Sequence, residues 1–319
     1  MTALIGQSGR RGVASLDEAQ REAVLAYCKI AAASSALLSL RDLRDLLGVD
    51  ATEEEIGRII TSDSSLSQEV SVMSGHVLLR GPGSDPAAAR EATEEAERRR
   101  MRALANVEAA RVFARLLNKD AIFVAVAGTN SYLSAAEGDD IDFYCITKTD
   151  GMWAFMLKSL LLSRACSVTR KGAPPFCFSF VMDERTARDE LGRPKGALYA
   201  RDTLTAKVIS GGAAYHSVLK SASWMRSYFP AVYDRRLGEV DGGRGPQQSA
   251  GNRPKVLNML LLLTLGSYVR LRAWAMNRRL ARQGRSDAVF KTWIGPGRLE
   301  YASRRYVELG KMYQALEKR

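Results

Sequence analysis

Residues 125–147 read AVAGTNSYLSAAEGDDIDFYCIT, and the architecture turns on this stretch. An apolar run ends at Gly128, small polar residues follow, and Asp139, Asp140 and Asp142 then crowd the entrance to a second apolar run. Residues two apart on a strand project to one side, so Asp140 and Asp142 set their carboxylates side by side while Ile141 and Phe143 turn into a core. Two adjacent anions require a cation. Carboxylate oxygens with no nearby His or Cys suit Mg²⁺ or Mn²⁺. Mg²⁺ takes one or two protein carboxylates and fills its other positions with water and substrate phosphates.

The preceding turn supplies the other half. Glycine at 128 lets the backbone bend sharply and approach a ligand, so that backbone N–H groups and the Thr129 hydroxyl point at phosphate oxygens, with Ser131 in the same segment. A helix opening there adds its positive end. Lys158, and Lys148 just after the aspartate strand, are further point charges available to a triphosphate. The expectation is phosphate held by Gly128, Thr129 and Ser131, and metal held by Asp140 and Asp142.

Outward from this stretch, residues 122–128, 141–147 and 176–182 read as strands, with a helix over 152–163. Upstream, helical spacing marks 16–31 and 38–47. A third helix is N-capped by Thr52, with Glu55 completing a capping box. LSQEVSVMSGHVLLRG then reads as a hairpin turning at Ser74-Gly75. Three helices and a two-stranded ribbon spell a winged helix-turn-helix. Glu53, Glu54 and Glu55 open its third helix and would repel phosphates there, so packing or dimerisation ranks above DNA binding. Pro82 to Pro86 mark a linker, and from there to about 117 the composition is helix-forming, with Arg98, Arg99 and Arg100 on a solvated face. Beyond 204 the chain reads as mostly helical, broken by a loop at 238–254. Gly211-Gly212, with no strand before it, reads as a helix break.

The totals agree with a multi-part globular chain: 319 residues, 46% hydrophobic, with 47 basic against 35 acidic side chains for a net +12. Such a surplus favours polyanions or nucleotides as partners, although charge alone separates neither a nucleic acid from a triphosphate nor either from a basic surface that serves solubility. Cys28, Cys145, Cys166 and Cys177 form no CxxC pair and read as buried thiols in a reducing compartment. The stretch MTALIGQSGRRGVASLDEAQ has no apolar segment able to serve as a secretion signal, so none is expected. Residues 256–269 are the most apolar run. Asn258 interrupts it and Arg270 and Arg272 follow, short of the ~20 residues of a span, so a buried helix in a cytoplasmic protein without membrane association is expected. His76 and His216 make no metal pattern. Trp153, Trp224, Trp274 and Trp293 read as packing residues, with base stacking open to any that proves exposed.

Gly128-Thr129 followed by Asp140-Ile141-Asp142 resembles the signature of the DNA polymerase β-type nucleotidyltransferase superfamily, in which a glycine-serine loop precedes an Asp-x-Asp pair. The order of parts, including FCFSFVMDE and SASWMRSYFP, is similar to a bacterial branch of nucleotidyltransferase-domain proteins over roughly residues 15–230. The resemblance implies an α+β fold, a nucleotidyltransferase-like mixed sheet flanked by helices. It also implies Mg²⁺ or Mn²⁺, a nucleoside triphosphate, and transfer of a nucleoside monophosphate to an acceptor with release of pyrophosphate. Many members carry a third carboxylate on a neighbouring strand. Here strict alternation over FCFSFVMD puts Cys177, Ser179, Val181 and Asp183 on one face, which makes Asp183 at its edge the candidate third catalytic residue, with Glu184 beside it. Otherwise the acceptor brings its own activation, or nucleotide is bound without turnover.

The domains expected are a winged helix-turn-helix module at 1–84, a nucleotidyltransferase core at 85–202 and a helical C-terminal part at 203–319. The acceptor stays open between an RNA or tRNA end, a small molecule and a protein hydroxyl, and a homodimer is compatible with the first module. The competing reading is a weakly active or inactive nucleotide-sensing or DNA-binding winged-helix protein.

Overall fold

The computed structural model describes residues 15–34, 36–81, 85–117, 119–169, 174–240 and 255–317. It divides into two units, Met1–Glu95 and Ala96–Arg319. In the first, α1 (Glu18–Ala33) opens with a capping box between Asp17 and Gln20. After β1 (Leu38–Ser39), α2 (Leu40–Leu47) ends at Gly48, and α3 (Glu53–Ser62) starts with the expected Thr52–Glu55 box. A single further turn, α4 (Leu66–Glu69), leads into the hairpin of β2 (Val70–Met73) and β3 (His76–Leu79). Ser74 and Gly75 both adopt positive φ there, as a tight hairpin of right-twisted strands demands. The strand order is β1-β3-β2, and Val24, Leu43, Ile56, Ile60, Val70 and Val77 fill the interior. Asp63 accepts from the Ser65 hydroxyl at 2.6 Å, from the Leu66 N–H, from Arg21 Nε at 2.7 Å and from the Ser65 N–H, which hold its carboxyl down at about 2.

Helix α5 (Pro86–Ala114) begins at Pro86, whose missing N–H is harmless in a first turn. From Ala96 onward the second unit is a mixed α+β arrangement. Its sheet contains β4 (Ala121–Val126), β5 (Ile141–Thr147) and β6 (Phe176–Asp183), with α6 (Gly128–Ser131) and α7 (Met152–Thr169) between them. Then come α8 (Glu184–Leu191), α9 (Ala197–Thr205), β7 (Lys207–Ser210), α10 (Gly212–Ser221) and α11 (Pro230–Val240). After α12 (Lys255–Leu261), one π turn and α13 (Ser267–Arg282), the chain closes with β8 (Phe290–Gly295), β9 (Arg298–Ser303) and α14 (Arg304–Glu317). Among the described residues the sheet order is β7-β4-β5-β6-β9-β8. Only the β5–β6 pair is parallel.

The main core lies on the sheet face that meets α5, α7 and α13, where Phe113, Phe143, Trp153, Phe155 and Phe178 pack together. Each buried side chain of this size contributes roughly 1.5–3 kcal/mol. Trp153 also donates its indole N–H to the Gly295 carbonyl at 3.0 Å, which ties α7 to the end of β8. On the other face Phe123 stacks on Tyr215, and Tyr144 meets Phe180 edge to face.

Four expectations are corrected. The stretch 203–319 is not a helical domain apart: β7, β8 and β9 belong to the central sheet and to the same unit. β9 covers the edge of β6, which would otherwise present unpaired backbone groups. Gly211 follows a strand, β7, and must be glycine, because its φ is positive and a Cβ there would overlap the Ile122 carbonyl. The unit boundary falls at 95, inside α5, rather than at the linker, of which residues 82–84 lie outside those described. The apolar run around 256–269 is buried along one edge only. It belongs to a 28-residue helical run, Lys255–Arg282, of which Asn258, Gly266, Val269 and Ala273 form the buried edge while Leu260, Leu263 and Leu271 are exposed. By length and composition alone, this run is the one described helix able to cross a membrane. Of the expected loop at 238–254, residues 241–254 lie outside those described, and α11 continues through 240.

Candidate metal and nucleotide site

β4 and β5 run antiparallel, with Val126 opposite Phe143, so the end of one strand and the start of the other lie together. Ala127 N–H donates to the Asp142 carbonyl at 2.9 Å, which fixes the turn against the aspartate strand. Gly128 has φ +63, and a Cβ built on it would lie 2.7 Å from Asp142 Oδ2. The carboxylate thus faces the glycine across a space that any side chain would fill. Asn130 is fully buried: its Nδ2 donates to the Asp140 carbonyl and its Oδ1 accepts from Asn106 Nδ2 on α5, both at 2.8 Å. Arg102 on the same helix donates to the Ala135 carbonyl at 2.9 Å. These three polar residues hold the 128–140 segment in place, and sequence reasoning missed all of them. The signal available was an Asn flanked by small residues directly after the turn, a position that buries an amide only when a partner is brought from elsewhere.

The β5–β6 register pairs Asp142 with Cys177. Between Asp142 and Tyr144 on one side, and Cys177 and Phe180 on the other, β6 inserts an extra residue. Cys177 and Ser179 both turn their side chains to Asp142, and Cys177 also reaches Asp140. One donor atom each from Asp140, Asp142 and Cys177 lies within 4.8 Å of the others, and these are the only such metal-capable group among the described residues. Burial, and then the charge of Asp140, push the Asp142 carboxyl up to about 7. Asp140 is raised too, by burial first and by Asp139 as well. Burial followed by the two aspartates holds the Cys177 thiol well above its ordinary value. Among the described residues neither carboxylate has an ion-pair partner. Two carboxylates and a thiol converging beside an open glycine fit a divalent ion.

The other expected site residues fare differently. Thr129 is exposed beside the pair, and its hydroxyl donates to Asp139 Oδ2 at 2.9 Å. Ser131 is buried with its hydroxyl donated to the Gly128 carbonyl at 2.8 Å, so it closes the turn instead of facing a ligand. α6 has four residues, too short to carry a useful macrodipole. Lys158 is bound to Asp120 at 2.7 Å, next to the end of β4 that pairs with Thr147. Asp183 is opposite Thr147 rather than Asp142, five strand positions or roughly 16 Å away. Buried there, it caps α8 by accepting from Thr186 N–H at 2.8 Å. The alternation that placed Asp183 with Cys177 fails because the bulge reverses which residues face which side: Phe178 and Val181 both join the main core. Of the tryptophans, Trp153 is core, Trp224 donates to the Leu191 carbonyl, and Trp274 and Trp293 are exposed beneath Arg278 and Arg298.

Comparison with protein-family models, curated proteins and solved structures returned no match.

Proposed function

We propose that this chain is a metal-dependent nucleotidyltransferase that moves a nucleoside monophosphate from a nucleoside triphosphate to an acceptor hydroxyl, releasing pyrophosphate. The observation that carries the reading is the Asp142 carboxylate seated over Gly128, with Asp140 beside it. Asp140 and Asp142 would hold Mg²⁺ or Mn²⁺, and Gly128 leaves room for the phosphate tail to lie against the backbone. A bound divalent ion supplies neutralisation of the charge that develops on the phosphate oxygens. The acceptor oxygen bonds to the α-phosphorus as the bond to pyrophosphate breaks, and the acceptor proton leaves to solvent. Helix, strand, glycine turn, aspartate strand, helix, strand is the order expected of a polymerase β-type core, and the antiparallel β4–β5 and parallel β5–β6 pairs are compatible with it.

The +12 charge supports a polyanionic acceptor such as an RNA or tRNA end. The first unit reads as a winged helix-turn-helix, and Glu53, Glu54 and Glu55 at the start of α3 would repel phosphates, which ranks packing or dimerisation above DNA binding for it. Four free cysteines support a reducing, cytoplasmic setting. One observation favours a second reading, nucleotide binding without turnover: from the neighbouring strand, Cys177 and Ser179 rather than a third carboxylate reach the aspartate pair. Pyrophosphate release from each of the four common NTPs with Mg²⁺ or Mn²⁺ and total RNA separates the two. Release that disappears in the Asp140→Ala, Asp142→Ala double variant is expected; release unchanged in that variant rules out the assignment.

A further inference from the structure

The thiol of Cys177 is the one feature of the acidic centre that the expected chemistry leaves without a role. Of the other cysteines, Cys28 is in the core of the first unit, Cys145 is in the main core, and Cys166 packs against it. Cys177 faces charge, reaching both Asp140 and Asp142 from the adjacent strand, with one donor atom of each within 4.8 Å of the others. An S–H group is a weak donor with one proton, too little to offset two neighbouring carboxylates, and no described cationic side chain does so. A metal ion ligated by all three groups removes the conflict. Two carboxylate oxygens alone are a hard donor set suited to Mg²⁺, whereas adding a thiolate shifts preference toward first-row divalent transition metals.

We propose that Cys177 is a direct ligand of the ion held by Asp140 and Asp142, and that it selects a divalent transition metal over Mg²⁺. The inference rests on the reading of the aspartate pair as a metal centre. On binding, an Sγ–metal bond forms and the thiol proton passes to the buffer, as coordination of a thiol requires. The register that sets Cys177 opposite Asp142 is the backbone device that brings the sulfur in.

The test uses the full chain, stripped with chelator and titrated with Co²⁺ or Mg²⁺ alone, comparing wild type with Cys177→Ser, Cys177→Asp and Asp142→Asn. Wild type with Co²⁺ is expected to show a thiolate-to-cobalt charge-transfer band in the near ultraviolet. Cys177→Ser is expected to lose the band and about tenfold or more of Co²⁺ affinity, with Mg²⁺ affinity changed by less than about twofold, and Cys177→Asp to gain Mg²⁺ affinity. Co²⁺ binding that depends on Asp142 yet shows no such band in wild type overturns the role of Cys177 and leaves the aspartate centre standing. Co²⁺ binding that is absent, or equal in Asp142→Asn, overturns both. The wild-type spectrum decides the point even if a variant fails to fold.

Discussion

Gly128 and Gly48 share a left-handed backbone, at φ +63 and +64, but differ in what surrounds them: nothing lies within 4 Å of a Cβ at Gly48, and Asp142 Oδ2 blocks one at Gly128. Alanine at Gly48 is therefore expected to cost only the backbone strain, about 1 kcal/mol. Gly128→Ala adds a clash with the carboxylate, so it should be the more destabilising in urea melts and should also abolish Mn²⁺ binding, which Gly48→Ala leaves intact. The aspartate pair carries its own pH signature. Because burial raises the folded-state carboxyl of Asp142 from 3.8 to about 7, its contribution to stability is full below about pH 4 and is lost as pH rises through 7. In metal-free protein, Asp142→Asn is thus expected to gain stability relative to wild type between about pH 4 and pH 8, read as the difference in melting temperature across that range. A difference that stays constant with pH refutes the shift. The acidic pair and glycine were legible because their spacing is local. Cys177 was placed on its strand but not beside Asp142, since pairing register between segments 35 positions apart leaves no local trace.

At the scale of elements, the helical run Lys255–Arg282 shows most plainly where apolar composition misleads. Leu260, Leu263 and Leu271 are exposed at 56%, 63% and 63%, while Phe143 and Trp153 are at 0%. Leu263→Ala should therefore change unfolding free energy by no more than about 0.5 kcal/mol, against about 3–5 kcal/mol for Phe143→Ala. A core-sized loss at Leu263 would show that the face is covered in the folded protein. A hydrophobic run announces burial against something, but the sequence does not say against what. The strands β4, β5 and β6 were legible from apolar runs bounded by turn residues, and the third helix from its capping box. β7 is four residues long, below the length at which alternation speaks. β8 and β9 were within reach, since Pro296-Gly297 is a turn dipeptide between two six-residue segments, but the helical spacing on both sides hid them. The β6 bulge defeats alternation itself and accounts for the misplacement of Asp183.

Taken as a whole molecule, the chain joins a small helical unit with a β ribbon to a larger mixed-sheet unit, and its charge balance of +12 leaves the aspartate centre as a local acidic spot in a basic protein. That contrast is what a site for a metal-bound triphosphate requires: carboxylates for the ion, and a surrounding field that draws in phosphate. A crystal of the full chain soaked with Mn²⁺ and a non-hydrolysable nucleoside triphosphate tests this most directly, with anomalous scattering locating the ion. The expected map has a manganese peak at coordination distance from Asp140 and Asp142, with the triphosphate lying against the backbone at Gly128. Manganese and nucleotide bound together at any other place, with the two carboxylates untouched, would contradict it.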